Sequence, residues 1–343
     1  MSSPGYHGFQ VVLSRLGAVL AAALLLACGG AHYHESQGSL VSPMQVTRVR
    51  VEGADSPTAV ERTSPRITWN LLGTAQGDRS IAYQIQANDA SGLSVWDSGK
   101  ADQPHTLDAT WAGRALPSRA SISLRIRAWD QANRPTAWST PTTFEVGLLS
   151  QSDWLGKWIA ATDAQPDPTT PLPSPHLRRD FRLDKPVKRA RAYVAGIGYH
   201  EAYVNGQRVG DQVLDPGFTR FDRRTLYVVH DVTNLLRPGA NAVGIILGNG
   251  FFNPSWVDAW DFQSAPWRAT PRLLLQLEIE HTDGSRSVVV TDETWRTKPG
   301  PILRDALRNG ENYDARMELP GWANPGSLDV RRHQKLTPWR HEN

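Results

Sequence analysis

Cysteine is almost absent from this chain: Cys28 is the only one in 343 residues, so no intrachain disulfide can form. Long amphipathic helices are missing as well. From Met44 onward no window repeats apolar residues at helical spacing, which weighs against a helical barrel. There is no nucleophile elbow, no Walker loop, no HExxH helix and no Cys/His zinc cluster. Neither sign of charge dominates. Lys and Arg number 37 against 34 Asp and Glu, a formal +3, and the two signs alternate along most of the chain, so no nucleic-acid partner is expected. One local excess, Arg178, Arg179, Arg182, Lys185, Lys188, Arg189 and Arg191, is interrupted by Asp180 and Asp184 and reads as a solvated strand face.

What is present begins with an export signal. Leu16 to Ala27 is apolar and follows Arg15; it is too short to span a bilayer and matches a signal-peptide core. Leu25-Leu26-Ala27-Cys28 reads as a lipobox, with Cys28 diacylated as the new N-terminus and two acyl chains giving stable membrane anchoring. Gly29 after the cysteine fits an outer-membrane or cell-surface position. An ordinary secretory signal at 1–27, leaving a periplasmic or secreted protein, is the other reading. Residues 28–43 are small and polar and read as a flexible tether, where His32 and His34 are solvated.

Strand patterns follow. Ile122, Leu124, Ile126 and Ala128 alternate with polar residues, as do Tyr83, Ile85 and Ala87, and turn signals recur at Gly77, Gly92, Gly99 and Pro135. Short strands at this spacing over 44–149 predict a fibronectin III or immunoglobulin-like sandwich. A second β domain is expected over 150–322. Within it Asn205-Gly206 is a type I′ hairpin signal, Asp231-Val232-Thr233 caps a short helical turn, and Leu273, Leu275, Leu277 and Ile279 alternate with polar neighbours. Residues 323–343 show neither strand nor helix pattern and read as an irregular tail. Trp is plentiful at 13 residues. Most such rings pack in cores; the sharper role is a platform for sugar rings. His200 and His230 read as surface or core-edge residues on strands.

The ordered strings AYVNGQRVGDQVLDPGFTRFDRRTLYVVHDVTNLL, GANAVGIILGNGFF, PRLLLQLEIEHTDGS, TDETWRTKPGPI and GENYDARMELPGW resemble the N-terminal β-sandwich region of bacterial α-L-rhamnosidases of glycoside hydrolase family 78. VWDSGK and SLRIRAWDQANRPTAWS resemble the fibronectin-like module that opens many of them. The resemblance implies an all-β chain, a fibronectin III/immunoglobulin-like sandwich followed by a jelly-roll (galactose-binding-like) β-sandwich. It implies partners among L-rhamnose-containing glycans or plant glycosides. It also suggests a sugar site with a bridging calcium: Asn205, Asn249, Asn253, Trp256 and Trp260 for carbohydrate, and Asn205, Asn253 and Asp258 for the metal.

Glycoside hydrolysis needs two carboxyl groups across the scissile bond, about 5–5.5 Å apart for retention or about 6.5–9.5 Å for inversion. In the family both lie in a separate helical barrel, and nothing here matches that barrel's motifs. Glu201, Asp215, Asp222, Glu311 and Asp314 are available but read as solvated or turn residues. The expectation is therefore a truncated N-terminal part of an exported α-L-rhamnosidase without a catalytic residue, the barrel missing or supplied by a separate polypeptide. A standalone surface carbohydrate-binding lipoprotein and a structural or adhesive module without sugar affinity are the alternatives. A chain cut there would leave Tyr313, Met317, Leu319 and Trp322 as an exposed apolar patch.

Overall fold

The computed structural model describes residues 40–161, 170–257, 260–327, 334–335 and 337–338. The signal peptide at 1–27, Cys28, most of the tether and Asp258 lie outside the described residues. Regular structure is β throughout, apart from short 3-10 turns.

The first domain has β1 (Gln45–Val51), β2 (Arg66–Leu72), β3 (Ser80–Asp89), β4 (Ser94–Asp97), β5 (Asp108–Thr110), β6 (Ser121–Asp130) and β7 (Thr142–Glu145). They form two sheets, ordered β1-β2-β5 and β4-β3-β6-β7. The period-two pattern sets the faces: Ile122, Leu124, Ile126 and Ala128 all turn inward, against Ile67, Trp69 and Ile85. On the outward face Arg125 and Arg127 lie over the Trp138 ring at 4.6 and 4.7 Å, and Arg127 over Trp129 at 4.8 Å.

The second domain continues with β8 (Ile159–Ala160), β9 (Pro175–Leu183), β10 (Val187–Ile197), β11 (Tyr199–Val204), β12 (Gln207–Arg208), β13 (Val228–Asp231), β14 (Gly239–Gly248), β15 (Arg272–His281), β16 (Arg286–Val290), β17 (Arg296–Pro299), β18 (Ile302–Ala306), β19 (Gly310–Tyr313), β20 (Gln334–Lys335) and β21 (Thr337–Pro338). One sheet runs β13-β10-β15-β8-β21, with β16 beside β15; the other runs β12-β11-β14-β9-β17-β20. Ile245, Leu247, Leu273, Leu275 and Trp295 fill the space between them. The β11–β12 turn has Asn205 at φ 52° and Gly206 at φ 81°, the left-handed pair that a type I′ hairpin needs. Asp231 accepts from the Thr233 backbone and hydroxyl and opens the 3-10 turn Thr233–Leu235.

Three expectations need correction. The basic stretch is a solvated face only in part: Arg182, Lys185 and Lys188 are exposed, the other four are not. Arg178 is fully buried, donating to the Trp322 and Asn324 carbonyls and to Asp180. Arg179 reaches Asp292 at 2.8 Å, and Arg189 and Arg191 both reach Glu145. A buried guanidinium is tolerable only where carbonyls and carboxylates meet it, as here. Second, Trp322 is not left as a loose apolar surface. It is half-buried, 4.5 Å from the His176 ring and 5.5 Å from Tyr203, over Gly244, where any side chain would collide with the indole. Met317 and Leu319 are half-buried too; Tyr313 is exposed. Third, the segment read as irregular contains strand pairings, Gln334–Lys335 with β17 and Thr337–Pro338 with β8.

Charged groups join the two domains. Glu145, ending β7, accepts from Arg191 Nη2 at 2.6 Å and pairs with Arg189 at 2.5 Å. Arg119 spans Asp153 and Glu278 at 2.9 and 2.8 Å. The Tyr227 hydroxyl accepts from the Leu148 amide at 2.8 Å, and Trp154 stacks edge-on against Tyr227 and Tyr193. Burial pushes the Glu145 carboxyl up, but the guanidiniums of Arg191 and Arg189 outweigh it and hold it below the ordinary value. Its stabilising contribution is thus present above the ordinary carboxylate pKa and lost as pH falls through the lowered one. Glu145→Gln should cost roughly 3 kcal/mol in chemical denaturation, because two arginines lose their shared counter-charge. An unchanged midpoint would mean that the cross-domain pair contributes nothing.

Candidate functional site

The residues singled out from sequence do not all come together. Asn249, Asn253, Trp256 and Trp260 share the long loop that leaves β14. Asn205 stands elsewhere. Its amide N–H bonds Ala242 O while Tyr199 pairs with Gly248, so Asn205 and Asn249 lie toward opposite ends of β14, about 20 Å apart at the rise of a strand. The Asn205 side chain is also fully used: Nδ2 donates to Leu235 O and Asn241 Oδ1, and Oδ1 accepts from Ala242 N. It locks its hairpin to the β13–β14 connection.

This separation bears on the three calcium candidates. The ion needs about six to eight oxygen ligands. Of the three candidates, Asn205 is remote and Asp258 lies outside the described residues. Asn253 Oδ1 is buried without a partner, but it is a single oxygen. No group of three or more His, Cys, Asp or Glu that could hold a metal exists among the described residues. Asn205 and Asn253 therefore cannot share one ion.

What organises the loop is Asp305, on β18. Its Oδ1 accepts from the Asn249 and Gly250 amides at 2.7 and 3.1 Å. Its Oδ2 accepts from Asn249 Nδ2 at 2.8 Å and from Ser174 Oγ at 2.7 Å. Asn249 Oδ1 in turn accepts from Asn253 Nδ2 at 2.7 Å, so both asparagines are buried as scaffold. A turn held by charge-assisted bonds gives the next residues a fixed base.

On that base sits a continuous aromatic cluster. Phe218 packs on Phe221, Phe251 and Phe262 with centroids 5.4–5.6 Å apart. Phe252 and Trp267 close it from beneath. Its rim is open, with Phe218 47% and Trp260 55% exposed; Trp256, on the same loop, is 46% exposed. The β18–β19 hairpin lays cations over the two indoles, Arg304 at 4.9 Å from the Trp256 centroid and Arg308 at 3.6 Å from that of Trp260. One face of each indole is therefore covered by a guanidinium instead of lying free. Phe218, Asp305, Arg304 and Arg308 escaped the sequence reading. The Asn309-Gly310 dipeptide was the signal that could have placed the hairpin carrying three of them.

The carboxylates singled out from sequence each have their own surroundings. Glu201 accepts from the Tyr203 hydroxyl, Asp222 pairs with Arg220 and Asp314 with Arg316, while Glu311 is exposed opposite Asp305. Asp215 is raised by burial, with His230 pulling the other way. His200 is buried at the sandwich edge, and burial lowers its imidazole to about 3.

Residues 185–339 match the family described as the α-L-rhamnosidase N-terminal domain, and residues 46–150 the Rha78A-like N-terminal immunoglobulin domain. An α-L-rhamnosidase of Formosa agariphila is 31% identical over 314 residues, taking in 84% of this chain and 33% of the relative. One from Alteromonas sp. (strain LOR) is 31% identical over 303 residues, again 84% and 33%. The solved α-L-rhamnosidase of Dictyoglumus thermophilum superposes with a TM-score of 0.78 at 31% identity, over 86% of this chain and 34% of that one. That of Streptomyces avermitilis, complexed with L-rhamnose, superposes at 0.80 with 23% identity, over 87% and 45%, which speaks for the fold alone. The chain spans about a third of the length of the curated relatives named here.

Asp305→Ala should leave four donors without their acceptor and cost about 3 kcal/mol or more. Hydrogen exchange should quicken at Asn249, Gly250 and the loop after them. Exchange unchanged there would show that the loop is held by its aromatic packing alone.

Proposed function

We propose that this chain, built from the immunoglobulin-like and jelly-roll domains that open α-L-rhamnosidases, serves such an enzyme by holding its glycan and contributes no hydrolytic carboxylate itself. The observation that carries the binding role is the half-exposed rim of Phe218, Trp256 and Trp260 on a clamped loop. Aromatic rims of this kind offer rigid apolar area to sugar C–H groups at little entropic cost. The glycans proposed are those bearing L-rhamnose, including plant glycosides. The hydrolytic carboxylate pair is assigned to the enzyme's catalytic part, whether that part belongs to the same polypeptide or to another.

A monosaccharide offers few atoms, so affinity is expected in the millimolar range, about 4 kcal/mol. Calorimetry with rhamno-oligosaccharides should show binding that Trp256→Ala and Trp260→Ala each weaken several-fold and that chelation leaves unchanged. Aryl α-L-rhamnosides should not turn over. Absence of heat at millimolar sugar would favour a purely structural module, and turnover abolished by mutating one of the chain's own carboxylates would overturn the non-catalytic assignment.

We also infer export and lipid anchoring through Cys28, from the apolar run before it and the two-chain requirement for stable anchoring. Cys28→Ser should move the protein from the membrane to the soluble fraction; unchanged fractionation would leave an ordinary secretory signal.

A further inference from the structure

We propose that the sugar unit held at the aromatic rim is anionic, its carboxylate or sulfate ester bound by Arg304 and Arg308. The proposal rests on the carbohydrate reading above and adds the charge of the ligand.

The first support is the state of the two guanidiniums. Several arginines of this domain are neutralised, Arg179 by Asp292, Arg191 by Glu145 and Asp231, Arg220 by Asp222 and Arg316 by Asp314. Arg304 and Arg308 have no carboxylate within salt-bridge distance among the described residues. Arg304 donates one bond, Nη2 to Asn309 O at 3.0 Å; its Nε is buried without a partner, so only the Nη groups can reach an outside ligand. Arg308 is exposed and, among the described residues, lies over the Trp260 ring.

The second support is geometric. A guanidinium lying over an indole has its orientation fixed and one face covered, while its N–H groups point outward in the plane. That fork matches the paired oxygens of a carboxylate or sulfate, and binding there leaves the stack intact. The nearby acids among the described residues are engaged or face away. Asp305 is consumed by its four donors, and Asp261 accepts from Gln263 and Ser264. Glu311 pairs in register with Asp305, and Arg304 with Asn312, so Glu311 leaves the hairpin on the opposite side from Arg304.

The test is calorimetry on the full chain at low salt with three rhamno-oligosaccharides of equal length: neutral, uronate-bearing and sulfated. Inorganic sulfate and a short DNA duplex serve as controls. Either anionic sugar should bind about tenfold tighter than the neutral one, the size of one charge-assisted contact, and the advantage should shrink with added salt. The two anionic arms identify the oxyanion. In the Arg304→Gln/Arg308→Gln protein, checked for an unchanged melt, the ratio of anionic to neutral affinity should fall to about one; Arg308→Lys should fall between, keeping charge but losing the fork. Equal affinity of the wild type for neutral and anionic sugars would overturn the proposal and leave the carbohydrate reading standing. No binding of any sugar would overturn both. Sulfate or duplex bound as tightly as the anionic sugars would also overturn it, exposing a general anion site.

Discussion

One carboxylate holds the candidate site together. Asp305 belongs to a two-stranded hairpin that projects from the jelly roll, yet its side chain turns into the protein and receives four hydrogen bonds from Asn249, Gly250 and Ser174. Those bonds fasten the hairpin to the loop at the end of β14. The hairpin brings Arg304 and Arg308; the loop brings Trp256 and Trp260. Neither segment has a regular ladder to the other, so the juxtaposition of cation and indole depends on this contact. A half-buried acid surrounded by donors is strongly directional, and its donors become costly if it is removed.

The same logic operates at larger scale between the domains. Each sandwich has its own apolar core, but the surface between them is polar, organised around Glu145 with Arg189 and Arg191, and around Arg119 with Asp153 and Glu278. Such pairs add modest energy against the cost of desolvation but tolerate only one alignment. Arg178 does similar work within the jelly roll, pinning the turn around Trp322 to the outer face of β9 and β14. The domains are thereby presented as one body, with the aromatic rim on the second.

Much of this was legible in the sequence. Period-two alternation at Ile122–Ala128 and Leu273–Ile279 located central strands correctly, because the apolar set of each faces the core between the sheets and the pleat fixes the spacing. Asn205-Gly206 located a hairpin because few other dipeptides accept its backbone angles. In the basic stretch the burial of some arginines is invisible locally, because the partners of Arg178, Arg179 and Arg191 come from residues 322–324, 290–292, 145 and 231. The site was only half visible for a similar reason. Trp256 and Trp260 stood out as aromatics in an irregular stretch, but their covering arginines and the aspartate behind them lie about fifty residues later, and nothing local announces that pairing.

The central claim is that glycan is held at the rim formed by the β14 loop and the β18–β19 hairpin. The most direct measurement follows the indole N–H resonances of the tryptophans while a rhamno-oligosaccharide is titrated in. Those of Trp256 and Trp260 should shift together with one saturation curve, while those of the buried Trp69 and Trp295 stay in place. Shifts confined to Trp129 and Trp138, on the outer face of the first domain, would contradict the account and move the sugar to the other domain.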